Sequence, residues 1–490
     1  MSPFVLLAFV IGYFILLLIV AWYTSRNANN DSFFIGNKNS NWMLVAFGMI
    51  GTSLSGVTFV SVPGGVGKES FAYFQVVIGY LVGYLVIAYV LLPLYYRLNL
   101  TSIYTYLKER LGVASYKTGA SFFILSRTLG ATARLYLVVK ILQDSILNNL
   151  GVPFWVTTLI ILVMILLYTY EGGVKTIVFT DTLQTTFMLT GLVVCVIYIL
   201  HTMNLGVGTA LTAMNEKGYD KIFFTNADSK LFFVKQILAG AFIAITMTGM
   251  DQEMMQKAIS VKRLKDSQKN IVTLSLIMMA VIMLFLFLGG LLHLYGAQQG
   301  VVSQGDKLFP DLALHQMPSL VSIIFIIALI SALFPSADGA ITALTSSFCI
   351  DILGMQRKTG WTEIQKKKIR QKVHLSVALI FLLFVLVFYK VNNPSMIGVI
   401  LKVAAYTYGP LLGLFTFGII TKRQVQDKLV PVVCVAAPII CFLLDKFQKE
   451  LFGDFQIGLE LLLINGFLTY MGLLIISKKS TLQPAGNVAD

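Results

Sequence analysis

Apolar stretches of membrane length recur from one end of this chain to the other, and no other feature restricts its fold as severely. Thirteen can be drawn, at about 3–23, 42–64, 74–96, 118–143, 153–170, 177–201, 231–250, 270–295, 318–348, 374–390, 396–421, 428–445 and 456–477. About 20 apolar residues in a helix cross a hydrocarbon core of roughly 30 Å. In that solvent each segment must satisfy its own backbone polar groups. Of the 490 residues 57% are hydrophobic and only 12% charged, against about 25% charged in a soluble domain. The sequence predicts an all-α polytopic membrane protein with about 13 transmembrane helices, in a single transmembrane domain spanning 1–490. No connection between spans has the length of a separate soluble domain; 203–230, one of the longest, is hairpin-sized.

The net charge of +14 invites a nucleic-acid reading, but its distribution argues otherwise. With the N-terminus outside, the inner loops hold 24 Lys and Arg, the outer loops 8 and the spans 5. That bias is the positive-inside pattern of an integral membrane protein. "KAISVKRLKDSQKN" and "QRKTGWTEIQKKKIRQK" are then cytoplasmic anchors near anionic lipid, not nucleic-acid sites. The expected placement is the plasma (inner) membrane, N-terminus outside and C-terminus cytoplasmic, in a protein acting as a monomer. The first apolar run lacks a basic n-region and is followed by Arg26, which suits a retained helix better than a signal peptide. Cys195, Cys349, Cys434 and Cys441 all lie in spans, so no disulfide framework is indicated. The four histidines lack metal-ligand spacing, and no Walker-type phosphate loop is present. Nothing here marks an enzyme or direct coupling to ATP.

Two spans are interrupted. The second contains "GMIGTSLSGVTFVSVPGG", with Gly48, Gly51 and Gly56 among hydroxyls. Five spans later comes "AGAFIAITMTGMDQ", ending in Thr248, Asp251 and Gln252. Paired interruptions at matching points of two halves point to an inverted-repeat membrane protein. Close helix packing is the alternative for any one glycine, but it does not call for Thr52, Ser53, Ser55 and Thr58 alongside.

Ionisable residues inside spans are functional hypotheses by default. Here they are Arg127, Arg134, Lys140, Asp181, Lys235, Asp338 and Lys402. Lys140 and Lys235 lie near span ends and can snorkel. Asp338 follows Pro335 and Ser336, and Pro335 leaves the Ser331 carbonyl without its helical donor. A freed carbonyl, a hydroxyl and a carboxylate are hard oxygen donors suited to a small cation; a kink with Asp338 neutralised by Arg or Lys is the other reading. Asp181 is either a helix-start carboxylate or a cation ligand. Arg127 and Arg134, seven apart, share one helix face. They and Lys402 serve either internal ion pairs, such as Arg134 or Lys402 with Asp338, or an anionic ligand met by the arginine fork.

Several segments together resemble the solute:sodium symporter family. "DSFFIGNKN" is similar to its loop after the first helix, and "LTSIYTYLKERLG" to its signature after the third. "EGGVKTIVFTDTLQ", "TGMDQEMMQKAIS" and "YTYGPLLGLFTFGI" follow in family order, so the likeness runs from about 30 to 420. It implies a LeuT-like 5+5 inverted-repeat core: an extra helix 3–23, repeats 42–201 and 231–421, and two C-terminal helices 428–477. It also implies symport of a small solute with Na⁺ as coupling ion. By motif the sodium site takes backbone carbonyls of Gly51, Leu54 and Ala332 and the Ser336 hydroxyl. The family's second hydroxyl is replaced here by Pro335, and Asp338 is expected to compensate. Asp181 matches a family aspartate linked to sodium. Lys402 falls at a polar sugar contact of relatives, and Arg134 lies on a helix that bears a carboxylate-binding arginine in some sialic-acid carriers. Thr58, Met247 and Tyr406 are expected at the thin gate. Two or three buried cations against two buried acids lean toward an anionic solute, a sugar acid or acidic amino sugar. A proton-coupled carrier, a carrier of neutral sugars or amino acids, and a channel or sensor are the alternatives.

Overall fold

A computed structural model describes residues 3–25, 33–34, 36–170, 173–358, 360–391 and 395–478. Arg26, Asp31, Ser32, Ile35, Glu171 and Gly172, all used in the sequence argument, lie outside the described residues. Each of the thirteen apolar stretches is helical. Among the described residues, eight helices are long and apolar enough to cross a membrane, three more stretches are bent pairs, and two shorter apolar helices complete the set.

In chain order these are α1 (Pro3–Thr24), the bent pair α2 (Trp42–Ser53) and α3 (Gly56–Glu69), α4 (Tyr73–Arg97), α5 (Val113–Leu150), α6 (Phe154–Thr169) and α7 (Gly173–Thr202). There follow the bent pair α8 (Phe233–Gly249) and α9 (Gln252–Ala258), α10 (Leu264–Gln298), α11 (Ser319–Ile352) and α12 (Glu363–Val391). The bent pair α13 (Met396–Thr407) and α14 (Gly409–Ile420) precedes α15 (Val430–Lys446) and α16 (Leu461–Ile475). A two-stranded antiparallel pairing of Gln424–Val425 with Ser477–Lys478 closes the C-terminal end.

Three differences from the sequence reading matter. The stretch expected to end at 250 turns by 70° and continues as α9, which puts Lys257 inside the protein and not in a basic loop. The basic segment 356–372 is helical from Glu363 onward and extends α12. A third bend of 44° stands at Tyr408, where Gly409 and Pro410 start a new helix. Pro335 sits inside an uninterrupted α11, in keeping with the single span 318–348.

The two expected interruptions are present. Between α2 and α3 the axis turns by 56°. Leu54 leaves helical geometry at φ −93°, ψ 78°, and Ser55 is extended. The last carbonyls of α2 therefore lose their helical donors. α4 packs against α8 almost backbone to backbone: a methyl group on Gly79 would lie 2.8 Å from the Ala241 nitrogen. Only glycine allows that approach. The extra helix α1 is tied to α11 by a hydrogen bond from Ser331 Oγ to the Tyr13 hydroxyl at 2.7 Å, and Tyr13 meets Phe187 edge-on.

Candidate functional site

A cavity lies against the α2–α3 break. Thr52, Ser53, Leu54, Ser55 and Thr58 line it from the break, and Met247 and Thr248 from the end of α8. Tyr73, Tyr80 and Tyr84 supply one wall; their spacing on α4 stacks them on a single face. Arg127 and Arg134 reach it from α5, and Ile397, Ile400 and Leu401 from α13. Tyr73, Ile397 and Leu401 are shared with a larger vestibule at the end of the molecule opposite the basic loops. Beside that vestibule Asp306 accepts a hydrogen bond from the Met396 N–H at 3.0 Å and so ties its loop to the start of α13. Burial raises the Asp306 carboxyl above the usual carboxylate range.

The candidate cation ligands come from both sides of the break. Gly51 packs against Pro335 closely enough that an added methyl would stand 3.4 Å from the proline ring. Proline at 335 removes a hydroxyl but keeps α11 in contact with the break. Ala332 is fully buried, and Ser336 Oγ donates to the Leu333 carbonyl at 2.8 Å. Leu54 lines the cavity itself.

Asp338 is fully buried and takes a hydrogen bond from the Tyr168 hydroxyl at 2.7 Å. Neither Arg134 nor Lys402 pairs with it, and among the described residues no Lys or Arg nitrogen lies within 4.0 Å of it. Lys257 lies close enough for its charge to be felt at Asp338 but is bonded elsewhere. The Lys257 ammonium donates to Asp181 Oδ2 at 2.7 Å and to Thr52 Oγ1 at 2.6 Å. Thr52 Oγ1 in turn donates to Asp181 Oδ2 at 3.2 Å. Asp181 is thus a deep acceptor on α7, beside the break, holding the chain's own cation.

The two arginines of α5 differ. Arg127 is ion-paired with Glu253, and its other branch stands 3.8 Å from Asp251. Asp251 also accepts from the Tyr408 hydroxyl at 2.7 Å and caps α9 by accepting the Glu253 and Met254 N–H groups. Arg134, one heptad along, faces the cavity, and among the described residues no carboxylate oxygen lies within 4.0 Å of it. Thr58 and Met247 line the same cavity. Lys402 and Tyr406 stand away from it: both hold Asp445 at 2.7 Å, and Lys402, 59% exposed, borders the vestibule. Lys140 pairs with Asp144 at 3.2 Å, and Lys235 with Glu460 at 3.8 Å. The continuing polar stripe of α11 mostly serves itself, Thr345 and Ser346 donating back to their own helix.

Beyond Gln252, the residues of α9 were missed in the sequence because the apolar stretch stops before them. Gln252 bonds the chain at Thr101 and Ile103, and Gln256 reaches Ser346 at 3.1 Å and the Phe34 carbonyl. A run of polar residues that bonds on every side belongs inside the protein. The available signal was the pairing of Glu253 with Lys257 one turn later, a spacing that stabilises a helix.

A model of the Sodium:solute symporter family matches residues 33–427. The sodium/sialic acid symporter SiaT of Proteus mirabilis is 24% identical over 466 residues, covering 91% of this chain and 90% of that protein. NanT of Aliivibrio fischeri, also a sodium/sialic acid symporter, is 21% identical over 463 residues, with 91% and 89% covered. Sodium-coupled monocarboxylate transporter 1 of Mus musculus is 24% identical over 408 residues, 80% of this chain and 64% of that one. A solved structure of a Na⁺-coupled sialic acid symporter in its substrate-bound outward-open state superposes with a TM-score of 0.83 at 20% identity, covering 97% and 99%. The nucleobase-cation-symport-1 transporter Mhp1 gives 0.58 at 13% identity, covering 92% and 93%. The fold is that of LeuT-like transporters.

Proposed function

We propose that this chain, which belongs to the sodium:solute symporter family, carries an anionic sugar acid such as a sialic acid into the cell together with Na⁺. The observation that carries the reading is Arg134: a guanidinium on the wall of a central cavity with no carboxylate in reach among the described residues. An unpaired charge in that setting is costly unless a ligand completes it, and a guanidinium fork matches a carboxylate with two parallel hydrogen bonds. The tyrosines of α4 and the hydroxyls of Ser53, Ser55 and Thr58 suit a polyhydroxylated body. Relatives of similar length are sodium/sialic acid symporters.

Gly51, Leu54, Ala332 and Ser336 are the proposed donors to Na⁺, with Asp338 supplying negative charge where Pro335 has removed a hydroxyl. An inverted repeat, 42–201 against 231–421, would set the α2–α3 break at the start of one half against the α8–α9 break at the start of the other. The basic loops face the cytoplasm, the N-terminus lies outside, and one copy suffices for transport. Each Na⁺ that enters through about −100 mV yields roughly 2.3 kcal/mol. Sodium biases the conformational equilibrium only by binding one state better than the other. A site shared between the α2–α3 break and α11 meets that requirement, since movement between those elements makes or unmakes it. Thr58 and Met247 would close over the solute, while Lys402 and Tyr406 act farther out, at the vestibule.

Thermal unfolding of the purified chain tests the reading, because a ligand that binds only the folded state raises its stability by mass action. N-acetylneuraminate should raise the midpoint in NaCl and much less in KCl. Silence toward sugar acids together with a response to neutral hexoses would overturn the anionic assignment.

A further inference from the structure

We infer that the Lys257 ammonium is a built-in cation occupying a second alkali-ion position, so that a single Na⁺ binds per transport cycle; this rests on the symport reading above. Lys257 is 3% exposed and lies among oxygens carried by different helices. Thr52 Oγ1 from α2 and Asp181 Oδ2 from α7 accept from it at 2.6 and 2.7 Å, and Glu253 Oε1 from its own helix is 3.7 Å away. On the α11 side the space is kept open by Gly339: a methyl there would come within 3.1 Å of the ammonium and 2.8 Å of the Glu253 carboxyl carbon. Gly48 likewise lets α2 close on Asp181, where an added methyl would stand 3.1 Å from the Asp181 Cβ.

Take the ammonium away and what faces the space is a set of hard oxygens. Asp181 Oδ1 and Glu253 Oε1 already lack a hydrogen-bond partner, and Asp181 Oδ2 and Thr52 Oγ1 would lose one. Such donors hold an alkali ion by charge and size. Thr52 is also the residue after Gly51, so the position adjoins the proposed sodium site and shares α2 with it. With Lys257 in place, the carboxylate of Asp181 has its counter-charge and a second ion has no room.

Equilibrium binding of ²²Na⁺ to the full-length purified protein, without solute, decides this. Wild type is expected to bind close to one ion per chain, and Na⁺-dependent N-acetylneuraminate uptake to show a Hill coefficient of about 1, since that coefficient is bounded by the number of sites. Lys257→Met should bind close to two, with the coefficient rising toward about 2. Asp181→Asn combined with Lys257→Met, which removes both charges, should return to one. Two ions on the wild type, or one on Lys257→Met with unchanged steepness, would overturn the inference; the wild-type count decides even if the single variant does not fold. No sodium binding by any of the three proteins would instead overturn the symport reading, so the two failures are distinguishable.

Discussion

Arg127 and Arg134 sit on one face of α5, two turns apart, and live in opposite electrostatic conditions. Arg127 is clamped by Glu253 and approached by Asp251, so its charge is spent inside the protein. Arg134 looks into the cavity with no such partner among the described residues. The difference comes from α9. Because the chain bends by 70° after Gly249, two carboxylates fold back beside Arg127 and stop short of Arg134. Sequence spacing alone made the two arginines equivalent; the bend makes one a brace and the other a ligand-facing group.

The comparison can be broken by mutation, and the brace should give the largest effect. Arg127→Met leaves two buried carboxylates without their cation, a change that costs roughly 3–5 kcal/mol for a buried pair. A large fall in the thermal midpoint is expected, partly recovered by adding Glu253→Gln. Arg134→Ala should leave the midpoint nearly unchanged and reduce uptake efficiency about 100-fold, in line with roughly 1.5–3 kcal/mol for hydrogen bonds to a charged group. Arg134→Lys keeps the charge without the fork and should fall between alanine and wild type. If the roles exchanged, with Arg134→Ala unfolding the protein and Arg127→Met sparing it, the contrast would be wrong.

Asp338→Asn should raise the Na⁺ concentration for half-maximal uptake about fivefold, equivalent to about 1 kcal/mol, the scale of one lost favourable contact. Unchanged sodium dependence would leave Asp338 only its bond to Tyr168. The smallest effect belongs to Lys402→Ala. An exposed ion pair contributes at most about 1 kcal/mol, so a change in apparent solute affinity of less than about fivefold is expected; a loss comparable to that of Arg134→Ala would move the solute site out to the vestibule.

The architecture was legible in the sequence because membrane-length apolar runs leave few alternatives, and the break at Gly51–Ser55 because glycines and hydroxyls cluster there. Motif likeness carried Arg134, Thr58 and Met247 to positions that line one cavity. Two features were not legible. α9 opens on Gln252 and Glu253 and carries Gln256 and Lys257, so the apolar run ends before it begins, and Lys257 reads as one more basic loop residue. Asp445, at the end of α15, is remote in sequence from Lys402 and Tyr406 and still binds both. Pro335 frees the Ser331 carbonyl, yet α11 continues through it, buried on every side. Partners brought together by a bend or from a distant helix have no local signature.

The most direct test is uptake of radiolabelled N-acetylneuraminate into proteoliposomes at fixed pH, with an inward Na⁺ gradient and a negative interior. Accumulation above equilibrium that requires Na⁺, and that vanishes in Arg134→Ala, is the expected result. Equal accumulation driven by a pH gradient in Na⁺-free buffer would contradict the account.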